Sequence, residues 1–146
     1  MDVALHLRQV PGPDLTAAEL YRLLRLRAAV FVVEQDCPYL DPDGRDLDPG
    51  TTHLWLDAPD GTVAACVRVL TEPPGGTRLG RVVTDPAHRG RRLSARLIDE
   101  ALSFAARPVV LDAQAHLAAV YLRHGFVVDG SDFLEDDILH TPMRLA

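Results

Sequence analysis

Apolar and polar positions along the chain follow two different periods, and the change from one to the other marks the predicted elements. Residues 3–10 alternate loosely, which predicts a strand, and the turn residues at 11–14 end it. Apolar side chains recur at helical spacing over residues 20–31. Thr16 and Glu19 precede them with the spacing of a capping box, so we predict a helix that begins after Thr16.

The rest of the chain is predicted as a meander of strands followed by alternating strands and helices. The stretch 36–50 is rich in Pro, Asp and Gly, which predicts a loop. The predicted strands are 52–57, 62–70, 78–84, 108–112, 126–128 and 138–144, and the further helices are 91–106 and 117–124. This order predicts an α+β fold, with a mixed α/β arrangement in which a mixed central sheet has helices on both faces.

Length and composition are those of a single domain over residues 1–146, with 47% apolar and 25% charged residues. The net charge of −6 argues against a general nucleic-acid binder, which needs a basic face. We expect no membrane span, because no apolar run approaches roughly 18–20 residues. Cys37 and Cys66 form no disulfide framework and lack metal-ligand spacing, so we expect a cytoplasmic protein without a metal site.

Charge is unevenly distributed along the chain. Residues 36–48 contain five Asp and one Arg, whereas residues 81–96 contain five Arg and one Asp. All fifteen basic residues are Arg, which suits bidentate binding of phosphate or carboxylate, although coding bias explains the surplus equally well. The acidic stretch would attract a cationic amine by steering, whereas a solvated loop is the simpler interpretation.

Two segments contain the most informative residues. Residues 82–97 lead from a strand through a basic turn into a helix without a good N-cap residue. A helix start leaves four N–H groups unpaired, so an anion would be stabilised there, although a merely basic, solvated helix start fits as well. Residues 110–126 lead from a buried strand into a helix that contains Tyr121. From its residue type and position alone, Tyr121 is either an aromatic residue of the core or a general acid.

These two segments resemble the GNAT superfamily of acyl-CoA-dependent N-acyltransferases. In that family a strand precedes the pattern [RQ]-x-x-G-x-[GA], which opens a helix. Here the pattern falls on residues 89–94, with Arg92 where Gly is usual and Ser94 where Gly or Ala is usual. The later family motif, a Tyr four residues before Gly-Phe, matches Tyr121 and Gly125-Phe126. The chain also resembles the ElaA-like branch of small bacterial acetyltransferases over residues 26–39, 41–46 and 112–117.

The resemblance implies direct transfer of an acetyl group from acetyl-CoA to an amine. It implies that Tyr121 protonates the departing thiolate as general acid, and Gln114 matches a polar position on the CoA side. The backbone of three strand residues would pair with the pantetheine arm and polarise the acetyl carbonyl, namely Val82, Val83 and Thr84. The CoA pyrophosphate would be held by Arg89, Gly90, Arg91, Arg92, Leu93, Ser94 and Ala95.

The general base has three candidates. Glu34 follows a buried apolar run, so desolvation would raise its pKa. His53 begins a strand expected to face the cleft, and its imidazole titrates near neutrality. His116 is the third. Each also has a structural interpretation, with Glu34 bonding Arg27 or a backbone N–H and the two histidines serving no chemical role.

Two other functions remain open on the sequence. A non-catalytic acyl-CoA-binding module of the same fold is favoured by the departure at Arg92 and opposed by the intact Tyr121. An acyl-homoserine-lactone synthase is faintly suggested by Arg27, Val30 and Phe31, although those enzymes are longer. The sequence leaves open the acceptor amine, which includes cationic amines, and the choice between monomer and homodimer.

Overall fold

The computed structural model of the protein describes residues 4–146, so residue 3 of the first predicted strand lies outside the described residues. Within this range the chain forms eight strands and three α-helices. The strands are β1 His6–Pro11, β2 Thr51–Asp57, β3 Val63–Glu72, β4 Gly76–Thr84, β5 Val109–Gln114, β6 Val127–Val128, β7 Phe133–Glu135 and β8 Ile138–Leu145. The helices are α1 Ala17–Arg27, α2 Leu93–Phe104 and α3 Ala118–Leu122.

The strands form one mixed sheet in the order β1-β2-β3-β4-β5-β8-β6, with β7 paired to β8. The β4–β5 pair is parallel, and the other described pairs are antiparallel. The predicted α+β fold with a mixed central sheet and helices on both faces is confirmed.

Alternation along β3 divides the apolar core between the two faces of the sheet. Ala65, Val67 and Val69 belong to a buried cluster that contains residues of α2 and α3, and this side is called the α2 face below. Cys66 belongs to a second cluster that contains residues of α1, on what is called the α1 face. Because successive strand residues point to opposite sides, one strand supplies both halves of the core.

The first helix begins as predicted and then changes its winding. The Thr16 hydroxyl accepts from the Glu19 N–H, and the Glu19 carboxylate accepts from the Thr16 N–H, which completes the capping box. After Arg27 the chain continues as a π-helix over Ala28–Glu34, seven residues long. π-helical turns are rare in proteins, and those that occur are often found at functional sites. This π-helical segment faces the cavity between β4 and β5.

The loop over residues 36–50 has no helix or strand, as predicted, but it is not simply solvated. Arg27 binds Asp41 through Nε at 2.8 Å and Asp46 through Nη1 at 2.7 Å, and all three side chains are buried. Further contacts come from two strand arginines, with Arg68 bound to Asp43 and Asp46 and Arg81 bound to Asp41 and Asp43. These six residues, called the Arg–Asp cluster below, fix the loop against the sheet.

Several predicted boundaries shift for identifiable reasons. α2 begins at Leu93 rather than at residue 91, because Gly90 and Arg92 both adopt positive φ angles, +85° and +56°. α3 is shorter than the predicted helix 117–124 and follows a 3₁₀ turn over Ala115–Leu117. The short strand β7 was not predicted, because its three residues show no period long enough to recognise.

Candidate functional site

The parallel strands β4 and β5 pair only at their beginnings. Thr77 lies opposite Val109 and Arg78 opposite Val110, and beyond these pairs the two strands diverge. A cavity of about 830 Å³ occupies the opening, lined by the later residues of both strands, the π-helical segment and α3. The backbone groups of β4 beyond Arg78 therefore face a cavity rather than a β5 partner, in the part of the chain that the structure describes.

A bulge in β4 lies beside this opening. Arg68 pairs with Gly80, whereas Cys66 pairs with Val83, so β4 has one extra residue. Arg81 adopts a φ of +53° at this point. Because a one-residue shift exchanges the faces of all later residues, the bulge turns Thr84 to the α2 face. There its hydroxyl lies 2.8 Å from the Ser94 hydroxyl of α2.

The start of α2 has no side-chain cap, as the sequence indicated. The first intrahelical bond runs from the Arg96 N–H to the Arg92 carbonyl, at 3.2 Å. The N–H groups of Leu93, Ser94 and Ala95 come before that bond and have no helical acceptor. A second cavity of about 470 Å³ adjoins this helix start, and its lining includes Arg89, Gly90, Arg92, Leu93, Ser94, Ala95 and, from the α3 side, Arg123. Arg91 is exposed in the same turn.

Arg92 occupies a backbone conformation that favours glycine. Its φ and ψ are +56° and +36°, in the left-handed region. The position where the family pattern has Gly is therefore also the position where this chain needs a left-handed residue.

Glu34 lies at the rim of the larger cavity and binds Arg89. The two hydrogen bonds, from Nη1 to Oε1 and from Nη2 to Oε2, are 2.8 and 2.6 Å long. The hydrogen bond from Arg89 lowers the pKa of Glu34, which outweighs the opposing effect of desolvation. The expected rise of this pKa by desolvation is thus not found, and the alternative partner Arg27 belongs to the Arg–Asp cluster instead.

Tyr121 lies in α3 and lines the larger cavity. Its side chain is 8% exposed and packs edge-on against Phe126, with ring centroids 6.1 Å apart. Burial raises the pKa of Tyr121 to about 12. The phenol is therefore protonated throughout the range in which enzymes are assayed.

Gln114 and Gln35 form a reciprocal amide pair across the opening. Gln114 Nε2 donates to Gln35 Oε1 at 3.1 Å, and Gln35 Nε2 donates to Gln114 Oε1 at 3.4 Å. Together with the Glu34–Arg89 pair, this connects the end of the π-helical segment to both walls of the cavity.

The structure does not bring His53 to the cavity. Its side chain is 2% exposed, and Nε2 lies 2.8 Å from the Asp46 carbonyl oxygen. Burial lowers the pKa of His53, so the ring is neutral beside the Arg–Asp cluster. His116 is exposed and does line the cavity.

The acidic stretch is largely neutralised from within. Of its five aspartates, Asp41, Asp43 and Asp46 pair with arginines of the same chain. The other two aspartates of the stretch, Asp36 and Asp48, form no ion pair with the described residues. Steering of a cation by the whole stretch therefore has little charge to act through.

Among the polar residues of the cavity that no sequence motif marks are Arg78 and His140. Arg78 of β4 donates to Glu72 and Asp112, and His140 of β8 lies opposite Gln114 of β5. Alternation in β8 would have given the face of His140, but nothing local in the sequence indicates that β8 pairs with β5.

Residues 4–146 contain neither a metal-binding cluster nor a helix able to span a membrane. No group of three or more His, Cys, Asp or Glu side chains is arranged to hold a metal ion. None of the helices in the described range is long and apolar enough to span a membrane.

Comparison with known proteins identifies the family of this chain. A family profile described as an acetyltransferase (GNAT) domain matches residues 40–146. A UPF0039 protein of Mycobacterium tuberculosis is 50% identical over 141 residues, covering 94% of this chain and 90% of the relative. Protein ElaA of Escherichia coli is 38% identical over 140 residues, covering 89% of each chain.

Solved structures have the same architecture. An acyl-CoA N-acyltransferase of Pseudomonas aeruginosa superimposes with a TM-score of 0.90 at 44% identity, over 98% of this chain and 100% of that one. The structure of Escherichia coli ElaA gives a TM-score of 0.88 at 34% identity, over 97% and 99% of the two chains. The protein therefore belongs to the GNAT acetyltransferase family, in its ElaA-like branch.

Proposed function

We propose that the protein transfers an acetyl group from acetyl-CoA directly to the nitrogen of an amine. The observation that carries this proposal is the parting of β4 and β5 next to the uncapped start of α2. A parted strand offers backbone hydrogen-bonding groups inside a cavity, and a helix start offers N–H groups to an anion. A ligand that combines an amide-containing arm with a pyrophosphate uses both.

The pyrophosphate is assigned to the turn that opens α2. Gly90 and the N–H groups of Leu93, Ser94 and Ala95 form the backbone part of this cradle. Arg91 and Arg92 add positive charge from the same turn, and Arg123 adds it from the end of α3. The guanidinium of Arg89 is bound to Glu34, so Arg89 adds charge to this cradle only when that ion pair opens.

The pantetheine arm is assigned to the free edge of β4. The backbone of Val82, Val83 and Thr84 pairs with the amides of the arm and polarises the acetyl carbonyl, which stabilises the charge that develops on oxygen. Gln114 approaches from β5 on the other side of the opening. An arm that runs between the strands replaces the Gln35–Gln114 pair or passes beside it.

Tyr121 is assigned as the proton donor to the departing sulfur. Its raised pKa, about 12, keeps the phenol protonated and ready to donate. Burial disfavours a free thiolate in this cavity as it disfavours the phenolate, which favours departure of the sulfur together with a proton. The leaving group then departs as the neutral thiol.

Titration of acetyl-CoA into the purified protein, followed by an assay of thiol release with a panel of amines, tests this function. We expect micromolar binding, thiol release that depends on the amine, and weaker turnover with longer acyl groups. Absence of acetyl-CoA binding would contradict the assignment of the donor.

A non-catalytic acyl-CoA-binding module is the second candidate, and the Arg92 departure is the observation that favours it. It predicts binding of acetyl-CoA without thiol release for every amine of the panel. The same two measurements therefore separate a transferase from a module.

A further inference from the structure

The geometry points to His140 as the general base that takes the proton from the acceptor amine. This inference rests on the proposed function, and it concerns the one step that the proposal leaves without a residue. An alkyl ammonium ion has no lone pair, so it must lose a proton before its nitrogen can attack the thioester carbonyl.

A hydrogen bond to the backbone selects the tautomer of His140. Nδ1 lies 2.7 Å from the Ile138 carbonyl oxygen, which can only accept. Nδ1 is therefore the nitrogen that bears the hydrogen in the neutral ring, and Nε2 retains its lone pair. Among residues 4–146, no hydrogen bond to Nε2 is found. A base needs a free lone pair of this kind.

Packing holds the ring in place at the cavity wall. The imidazole stacks on the Phe133 ring, with centroids 5.7 Å apart and 21° between the planes. Together with the Ile138 bond, this stack restricts the rotation of the ring. His140 lines the same cavity as Tyr121, so both can face one bound substrate.

His140 and Tyr121 lie on different sides of the opening. Directly opposed residues of an antiparallel pair share a face, so His140 is on the side of Gln114, which bonds Gln35 on the α1 face. Tyr121 belongs to the core cluster of the α2 face. In acyl transfer the attacking nitrogen and the departing sulfur are different substituents of one carbon, so a base and an acid placed on two sides match the two proton transfers.

The other candidate bases are less suited to this step. Arg89 binds both oxygens of Glu34, and His53 lies outside the cavity against the Asp46 carbonyl. His116 lines the cavity but is exposed. It provides a matched control, because it is the same residue type in the same cavity.

All protons and bonds balance in this transfer. Nε2 of His140 takes one proton from the ammonium, and the free amine forms the C–N bond while the C–S bond breaks. The sulfur takes the Tyr121 proton. The nitrogen loses its second proton to water, and that proton restores Tyr121, while His140 releases the first to bulk solvent. The products are the amide, the CoA thiol and one proton.

The test compares His140→Gln, His140→Ala and the control His116→Gln with two acceptors. One is an alkyl amine that the wild type acetylates, and the other is hydroxylamine, which is unprotonated at neutral pH. We expect His140→Gln to lower kcat with the alkyl amine about 100-fold, within the range for a lost general base, and to lower it less than about fivefold with hydroxylamine. Affinity for acetyl-CoA should stay unchanged, and free imidazole should partly restore His140→Ala.

Equal losses with both acceptors, no loss at all, or an equal loss in His116→Gln would overturn the assignment of His140. Nitrogen-15 NMR gives an independent readout, since a ring protonated on Nε2 would also contradict it. A wild type that releases no thiol with any amine overturns the proposed function and this inference together, whereas an active wild type with an unaffected His140→Gln overturns only the inference.

Discussion

Glu34 and Arg89 are joined by two hydrogen bonds, 2.8 and 2.6 Å long, that connect the end of the π-helical segment to the turn before α2. Glu34, a candidate general base, and Arg89, assigned to the pyrophosphate, therefore bind each other. A carboxylate held by a bidentate arginine is a weak proton acceptor, because protonation would break both charge-assisted bonds.

Glu34→Gln therefore tests whether this side chain acts on the amine or on Arg89. We expect acetyl-CoA to bind about threefold more tightly, since the released guanidinium can turn to the pyrophosphate, while kcat stays within about twofold. Arg89→Ala should weaken acetyl-CoA binding about tenfold. Isothermal titration and steady-state kinetics measure these changes, and a large loss of kcat in Glu34→Gln would instead make Glu34 the base.

Tyr121→Phe should lower kcat about 100-fold and leave acetyl-CoA affinity nearly intact, because only the proton donor is removed. Since the pKa of Tyr121 is about 12, the phenol does not titrate in the assay range. The ratio of wild-type to Tyr121→Phe rates should therefore stay constant between about pH 8 and pH 10. Rate profiles of both proteins measure this ratio, and an unchanged kcat would exclude the acid role.

Asp46→Asn should destabilise the fold by about 3 kcal/mol, because it leaves buried Arg27 and Arg68 short of one negative charge. Asp48→Asn is the matched control in the same loop and should change stability by less than about 0.5 kcal/mol. Urea unfolding of both variants measures the difference.

The same pair predicts a pH dependence. Burial alone would raise the pKa of Asp46. Hydrogen bonds and charges from Arg27 and Arg68 lower this pKa by more than burial raises it, so the net shift is downward. The stabilisation is thus fully present above the ordinary pKa of 3.8 and is lost as pH falls through the lowered pKa. The gap between wild type and Asp46→Asn should be constant from neutral pH down to about pH 5 and should narrow in stronger acid. A gap that widens on acidification would contradict the pairing.

Arg92→Gly should be tolerated or stabilising, by up to about 1 kcal/mol, because glycine adopts the left-handed region without the cost that a side chain incurs. Arg91→Gly is the control, since Arg91 is not among the described residues with positive φ, and it should be destabilising. Thermal unfolding compares the two. A clear loss of stability in Arg92→Gly would mean that the Arg92 side chain itself stabilises the turn.

Much of the fold follows from local patterns. Thr16 and Glu19 mark the start of α1, and helical spacing over residues 93–102 marks α2, because both signals lie within a few neighbouring residues. The π-helical turn over Ala28–Glu34 and the bulge at Arg81 are not marked in this way. Each depends on packing against elements that are distant in the sequence.

The candidate site divides in the same manner. Tyr121 and the turn before α2 belong to motifs that can be recognised in the sequence. Both line the cavities, except that Arg91 of this turn is exposed and is not part of the lining. The partners of Glu34, His53 and Gln114 come from residues 7 to 79 positions away, so their environments could not be deduced from neighbouring residues. His140 shows the same limitation, since only the pairing of β8 with β5 brings it to the cavity.

The Arg–Asp cluster has a consequence for how this protein can diverge. The loop over residues 36–50 lines part of the larger cavity through Tyr39, Asp43 and Arg45, yet ion pairs rather than apolar packing determine its course. Exposed loop positions such as Asp48 can therefore change in related proteins, whereas Asp41, Asp43 and Asp46 are needed to neutralise the buried arginines. One set of ion pairs thus stabilises the fold and also forms part of the cavity wall, so a substitution in the cluster would change stability and cavity shape together.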